Sequence, residues 1–208
     1  DTLHNGGDRF MSFPGIEDER FIRGDVPMTK QEIRILTIAK AQIKPNAIVW
    51  DIGAGTGSIS VEAALQAKDG HVYAIERNPE GIGLIKRNAE KFQVKNLTAV
   101  EGEAPQALLE LPPCDVAVIG GSGQHLDAIL DLISSRLKKG GRIVLNCITV
   151  QTLASCLSYM RSHQAAFTYE AIQVQINRLQ AVGPYDMAKA INPIYIATCQ
   201  KVRDTGGI

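Results

Sequence analysis

Short apolar runs alternate with longer amphipathic stretches through most of the chain. The apolar runs, each bounded by glycine or polar turns, cover residues 48–53, 71–76, 97–101, 115–120 and 141–148. Between them, apolar residues recur at helical spacing in residues 58–67, 79–93, 105–111, 124–137 and 150–163. Strands that alternate with helices predict parallel crossovers and therefore an α/β fold with a doubly wound sheet.

The pattern changes after His163. Ile172, Val174 and Ile176 alternate with polar residues, and a second apolar run at 194–200 follows without a long helix between them. This arrangement is typical of an antiparallel hairpin, and it predicts that the parallel sheet ends in such a pair.

Two predictions concern the start of the chain. Residues 1–14 are polar and contain glycine, which favours a flexible arm before a single domain of residues 15–208. A helix is expected from Thr29, because Thr29 and Glu32 fit the T-x-x-E capping box, and Pro45 is expected to stop it.

Composition narrows the class of protein. The chain is 45% hydrophobic and carries 22 basic and 22 acidic residues, so a nucleic acid is a poor expectation for its partner. The four cysteines form no C-x-x-C pair, which favours reduced core residues and no metal site. No apolar stretch has the length of a membrane span, so we expect a cytoplasmic protein without a membrane partner.

The strongest candidate site is the segment from Val49 to Ser58, a predicted strand that runs into a glycine loop and a helix. Glycines allow a sharp turn and a close approach of the backbone to a ligand, and the loop is expected to present free amides at the helix start. Ser58 stands where a dinucleotide fingerprint has its third glycine, so a nucleoside is favoured over a diphosphate. The predicted cofactor-binding residues here are Gly53, Ala54, Gly55, Thr56 and Gly57.

Three further segments predict contacts to a nucleoside. Glu76 ends the second strand about twenty residues beyond the loop, where a carboxylate can accept both ribose hydroxyls. Glu103 and Ala104 follow the third strand and are candidates for contacts to adenine, although a simple helix cap is the alternative. Thr29, beside its capping role, is a candidate for contact with the carboxylate of the cofactor.

Five stretches together resemble the decarboxylating cobalt-precorrin methyltransferases of corrin biosynthesis. These are residues 21–34, 49–57, 74–79 and 101–105, and the sequence Ile119-Gly120-Gly121-Ser122-Gly123. The resemblance implies a Rossmann-like class I methyltransferase fold with S-adenosylmethionine as cofactor, bound by the cofactor residues above. It also implies methylation of a precorrin or cobalt-precorrin at C15, loss of the C12 acetate carboxyl group, and a tetramer.

Several residues are candidates for contact with the substrate, but no motif assigns them a role. Gly121 and Ser122 belong to a loop after the fourth strand that would leave room for a macrocycle and expose amides to its carboxylates. Asn146 and Arg178 are further candidates, with Arg23 and Lys189 as additional cations, whereas a structural role is favoured for His125. No residue set indicates a catalytic acid, base or nucleophile.

Two other functions remain open at this stage. A methyltransferase for another small molecule or for a protein side chain would share every cofactor residue and differ only in its pocket. A nucleotide-binding Rossmann module would bind the ligand without turnover, although the loop lacks the G-x-G-x-x-G pattern.

Overall fold

A computed structural model describes residues 14–203, and all of the predicted N-terminal arm except Pro14 lies outside them. The strands in this part of the chain are β1 (Ile48–Ile52), β2 (His71–Glu76), β3 (Leu97–Glu101), β4 (Cys114–Ile119), β5 (Leu137–Cys147), β6 (Phe167–Val182) and β7 (Tyr185–Lys201). They form a single sheet in the order β3-β2-β1-β4-β5-β7-β6. Strands β1 to β5 are parallel, whereas β7 is antiparallel to both of its neighbours. The predicted doubly wound sheet with a terminal hairpin is therefore confirmed.

Helices cover both faces of the sheet. They are α1 (Gln31–Ala41), α2 (Ser58–Gln66), α3 (Pro79–Lys91), α4 (Leu126–Arg136) and α5 (Val150–Ser162). Apolar residues of α1 and α2 pack with Val49 and Val118 on one face, whereas those of α4 and α5 pack with Trp50 and Ile119 on the other. Neighbouring residues of one strand are thus buried on opposite faces, which explains why the parallel strands are almost continuously apolar.

Two expectations from composition can be compared with the structure. The four cysteines are free and buried, as predicted. No helix among residues 14–203 is both long enough and apolar enough to cross a membrane.

The predicted capping box at Thr29 is wrong. Helix α1 begins at Gln31, and its N-cap residue Lys30 makes no side-chain capping bond. The Thr29 carbonyl instead accepts a hydrogen bond from Arg34 Nη1 at 2.7 Å, while Glu32 pairs with Arg178. Arg178 of β6 therefore engages the Glu32 side chain, whereas Arg34, which binds the Thr29 carbonyl, belongs to α1 itself.

The predicted helix at 105–111 is also wrong, because only a 3-10 turn forms at Gln106–Leu108. Leu108 and Leu111 are both buried. Their spacing of three residues is shared by helices and by single turns, so the apolar pattern did not separate the two.

The terminal hairpin is much longer than the apolar pattern predicted. Cys147, the last residue of β5, pairs with Tyr195, so the part of the hairpin from 176 to 191 projects beyond the carboxyl end of β5. Side chains of this part are largely exposed, including Leu179, Tyr185 and Met187. A strand pair that faces solvent on both sides has no alternation from which its length could be predicted.

Candidate active site

A cavity of about 450 Å³ opens at the carboxyl ends of the central parallel strands. Its volume is within the range of small-molecule sites, and its position is the usual one for ligands of open α/β sheets. Seven of the nine predicted cofactor residues line it: Thr29, Gly53, Ala54, Gly55, Glu76, Glu103 and Ala104.

The glycine loop brings three backbone segments close together. Gly53 and Gly55 have φ angles of 73° and 56°, which favour glycine. A Cβ atom at Gly53 would lie 2.7 Å from the backbone of Gly121, and one at Gly55 would lie 2.7 Å from the Pro27 carbonyl oxygen. Larger residues at either position would therefore displace a wall of the cavity.

The expectation that this loop presents free amides is wrong for four of its residues, because the Gly57 amide donates to the Ala54 carbonyl at 2.9 Å and three other amides donate to β2. The amides of Gly53 and Ala54 donate to the Ile75 carbonyl at 2.9 and 3.0 Å. The Gly55 amide donates to Glu76 Oε2 at 2.8 Å. These bonds fix the loop against β2 before any ligand arrives, so its amides shape the cavity.

Thr56 and Gly57 lie outside the cavity lining. Thr56 is buried, and a Cβ atom at Gly57 would lie 3.0 Å from the Ile85 side chain. In this structure Gly57 allows α2 and α3 to pack closely.

Glu76 joins the glycine loop to the start of α3. Its Oε2 atom accepts from the Gly55 amide, and its Oε1 atom accepts from the Asn78 amide at 2.8 Å. The carboxylate lines the cavity, and each oxygen can accept a further hydrogen bond. Glu76 is therefore preorganised to accept a pair of hydroxyl groups from a ligand.

Asp51 adds a second carboxyl group to the same cavity. It is buried at the end of β1, where Ser60 Oγ donates a hydrogen bond to it. Burial is the main reason that the pKa of Asp51 is raised to about 6; the hydrogen bond from Ser60 opposes the rise, and the charge of Glu76 adds to it. Two neighbouring carboxyl groups favour a ligand that carries positive charge. Sequence reasoning gave Asp51 no separate role, although an acid at the end of a buried strand was the available signal.

The remaining predicted cofactor residues lie at the rim and roof of the cavity. Thr29 ends the segment 26–29, which we call the roof segment because it lies over Gly55. Glu103 Oε1 accepts from Arg77 Nη1 at 3.0 Å, and both side chains are largely exposed. Ala104 is buried beside this pair.

The roof segment is anchored by residues that sequence reasoning missed. Asn88 of α3 is fully buried, and its Oδ1 atom accepts from the Ile22 amide at 2.8 Å. Its Nδ2 group donates to the carbonyls of Ile22 and Thr56 at 3.0 and 2.9 Å. One side chain thus ties the segment before the roof to the glycine loop, a contact over more than sixty positions that no local pattern indicates.

The side of the cavity near β4 and β5 is open. Gly121 and Ser122 line it, and a Cβ atom at Gly121 would meet only the Gly53 Cα atom, at 3.9 Å. The expectation of exposed amides is wrong for Gly120 and Gly121, because both donate to the Ile52 carbonyl. Ile148, which sequence reasoning missed, lines the same side and is 68% exposed.

The other substrate-side candidates do not line the cavity. Asn146 is buried and exchanges hydrogen bonds with the Thr37 hydroxyl of α1. Arg178 is held by Glu32 and Asp18. Arg23, His125 and Lys189 are exposed. No cluster of acidic, histidine and cysteine side chains suited to a metal ion occurs within residues 14–203.

Comparisons with known proteins agree on one family. Residues 20–201 match the family described as "Precorrin methyltransferase domain". The chain is 38% identical over 187 residues to the cobalt-precorrin-6B C(15)-methyltransferase (decarboxylating) of Salmonella typhimurium, covering 89% of this chain and 96% of that protein. Among solved structures, precorrin-6Y C5,15-methyltransferase of Geobacter metallireducens superposes with a TM-score of 0.85 at 38% identity, covering 91% of this chain and 99% of the other. Precorrin-8W decarboxylase of Methanobacterium thermoautotrophicum gives 0.82 at 35% identity, covering 88% and 98%.

Proposed function

Because the chain belongs to the precorrin methyltransferase family, we propose that it is an S-adenosylmethionine-dependent methyltransferase that methylates a precorrin or cobalt-precorrin at C15 and removes the carboxyl group of its C12 acetate arm as carbon dioxide. The observation that carries this proposal is a cavity with two carboxyl groups on one side and an open glycine loop on the other. Such a cavity suits a cationic nucleoside that faces a bulky substrate.

The residues present fit S-adenosylmethionine. The cavity volume of about 450 Å³ is large enough for a nucleoside joined to an amino acid. The close contacts at Gly53 and Gly55 form a cradle that side chains would fill. Asp51 and Glu76 supply negative charge, which favours a sulfonium and an α-amino group.

Each cofactor residue has an assigned role in this proposal. Glu76 accepts hydrogen bonds from the ribose hydroxyls, and Asp51 provides charge without direct contact to the reacting atoms. Glu103 and Ala104 border the adenine, and Thr29 in the roof segment borders the methionine end. When bound, the cofactor supplies an electrophilic methyl group, so the protein needs to align the substrate and exclude water.

The open side of the cavity is assigned to the tetrapyrrole. Gly121 and Ser122 leave space for a flat macrocycle, and the exposed Ile148 offers an apolar surface beside them. A small organic substrate, rather than a nucleic acid or a membrane, is consistent with equal numbers of basic and acidic residues.

Assembly into a homotetramer, a single domain of residues 15–208 and a cytoplasmic location are further parts of the proposal. The projecting hairpin supports self-association, because Val182, Tyr185 and Met187 are exposed on one of its faces, where Val182 pairs with Tyr185, and Tyr185 is 73% exposed. Contiguous exposed apolar surface is typical of protein interfaces.

Binding and transfer can be tested separately. Calorimetry should detect binding of S-adenosylmethionine and of its demethylated product, whereas a dinucleotide should not bind. Cofactor with a labelled methyl group should then transfer the label to a tetrapyrrole. Transfer to an added protein or to a smaller acceptor instead would favour a methyltransferase of another specificity.

A further inference from the structure

We propose that Arg178 is a positioning residue for the cofactor cavity, which acts through Asp18 and Arg34 to hold the roof segment in place. The projecting hairpin thereby influences the affinity for S-adenosylmethionine. This inference rests on the proposed function, since it concerns the same cavity. It also gives Arg178 a different role from the substrate contact expected from sequence.

Arg34 is completely buried beneath the roof segment. Its Nη1 group donates to the Thr29 carbonyl at 2.7 Å, and its Nη2 group donates to the Ile16 carbonyl. One guanidinium group therefore joins the roof segment to the chain that leads into it. A buried guanidinium is held in such a position only when carboxylates balance its charge.

Two carboxylates supply this balance. Glu62 of α2 accepts from Arg34 Nε at 3.0 Å, and Asp18 Oδ1 lies 3.3 Å from Arg34 Nη1. Glu62 also accepts from the amides of Gly15 and Ile16. Asp18 and Glu62 are almost fully buried, so the pair carries one negative charge more than Arg34 can neutralise.

Arg178 provides a second positive charge, which it shares between Asp18 and Glu32. Its Nη2 group lies 3.3 Å from Asp18 Oδ2, opposite the oxygen that faces Arg34. Its Nε and Nη2 groups bind both oxygens of Glu32 at 2.7 and 2.6 Å, a two-pronged contact that fixes the guanidinium on the first turn of α1. Direct contacts thus connect the hairpin to the cavity, from Arg178 through Asp18 and Arg34 to Thr29.

Loss of the Arg178 charge leaves Asp18 buried with Arg34 as its remaining ion-pair partner among residues 14–203, and Glu62 shares that partner. Arg34 is then the cation that pairs with both Asp18 and Glu62. Its Nη1 group faces both Asp18 and the Thr29 carbonyl, so a stronger contact with Asp18 weakens the hydrogen bond to Thr29. The roof segment should loosen, and a ligand must order it again on binding, which weakens affinity.

The test compares Arg178→Met with Arg178→Lys and with the matched control Arg142→Met. Arg142 is also partly buried, but it donates to the Lys40 carbonyl at the opposite end of the sheet. Calorimetry with S-adenosylmethionine should show about 10-fold weaker binding for Arg178→Met, with much of the loss recovered by Arg178→Lys. Arg142→Met should bind like the unmodified protein.

Amide hydrogen exchange provides a readout that needs no cofactor. Protection of Gly15, Ile16 and Ile22 should fall in Arg178→Met, whereas protection of the central strands should not change. If Arg178→Met does not fold, Arg178→Gln keeps a polar side chain without the charge and should give the same pattern. Unchanged affinity and exchange in a folded variant would overturn the inference. An unmodified protein that binds no S-adenosylmethionine would instead overturn the proposed function, and the exchange result would still decide the role of Arg178.

Discussion

Replacement of Glu76 by glutamine should weaken S-adenosylmethionine binding far more than it affects stability. The carboxylate already accepts from the amides of Gly55 and Asn78, and it is assigned two further bonds from the ribose. Glutamine has one carbonyl oxygen for both backbone donors, and its amide group would face one of them. A hydrogen bond to a charged group contributes about 1.5–3 kcal/mol. Loss of one ribose bond and weakening of the other therefore predicts a dissociation constant roughly 100-fold higher.

Calorimetry with a thermal melt on each sample can measure both effects. Glu101→Gln is the matched control, because Glu101 lies opposite Glu76 in the sheet, is exposed and does not line the cavity. This control should change affinity by no more than about 2-fold, as expected for a screened surface charge. Equal affinities for the two variants would refute the assignment of Glu76 to the ribose.

Three other predictions follow from the cavity. Gly55→Val should abolish cofactor binding, because the added Cβ atom would lie 2.7 Å from the Pro27 carbonyl oxygen. Gly83→Ala, where an added Cβ atom has open space, should bind the cofactor normally. An equal loss of affinity in the two variants would mean that the glycine loop has a structural role and does not border the cofactor. Gly121→Leu should block methyl transfer to a precorrin, while calorimetry should show near-normal cofactor affinity. Full turnover by this variant would mean that the loop containing Gly121 does not border the substrate. Affinity for the cationic cofactor should be constant above about pH 7 and should fall as the pH passes below about 6, by up to about 10-fold per unit. Protonation then neutralises Asp51, whose pKa is about 6. Asp51→Asn should flatten this profile, and a profile that stays the same would assign the titration to another group.

Features encoded by local patterns could be predicted from the sequence. Buried strands, amphipathic helices and the glycine loop each have a short-range signal, and the parallel arrangement of the first five strands followed from the alternation of strands and helices. Glu76 could be placed because parallel strands end at one edge of the sheet.

Features that depend on distant partners could not be predicted in this way. Glu32 fits a capping box with Thr29 locally, but Arg178, 146 positions away in the chain, engages the Glu32 side chain in the fold. Asn88 has no sequence signal for its contacts to Ile22.

Whether a glycine can be replaced also depends on distant backbone atoms, so it could not be predicted from the sequence. From sequence, Gly70 looks like a neutral control for Gly55, yet a Cβ atom at Gly70 would lie 2.0 Å from the Ala47 carbonyl oxygen. Substitution there should disturb the fold itself. Only the positions of neighbouring backbone atoms separate such a glycine from Gly83.

Mass spectrometry of a precorrin incubated with the protein and S-adenosylmethionine measures methylation and decarboxylation of one substrate together. Matched reactions with a cobalt-bearing and a cobalt-free precorrin would show which is preferred. We expect a product that has gained one methyl group in place of hydrogen and lost one carbon dioxide, with no change when the cofactor is omitted. A tetrapyrrole recovered at its original mass, from protein that binds the cofactor, would contradict the proposed reaction.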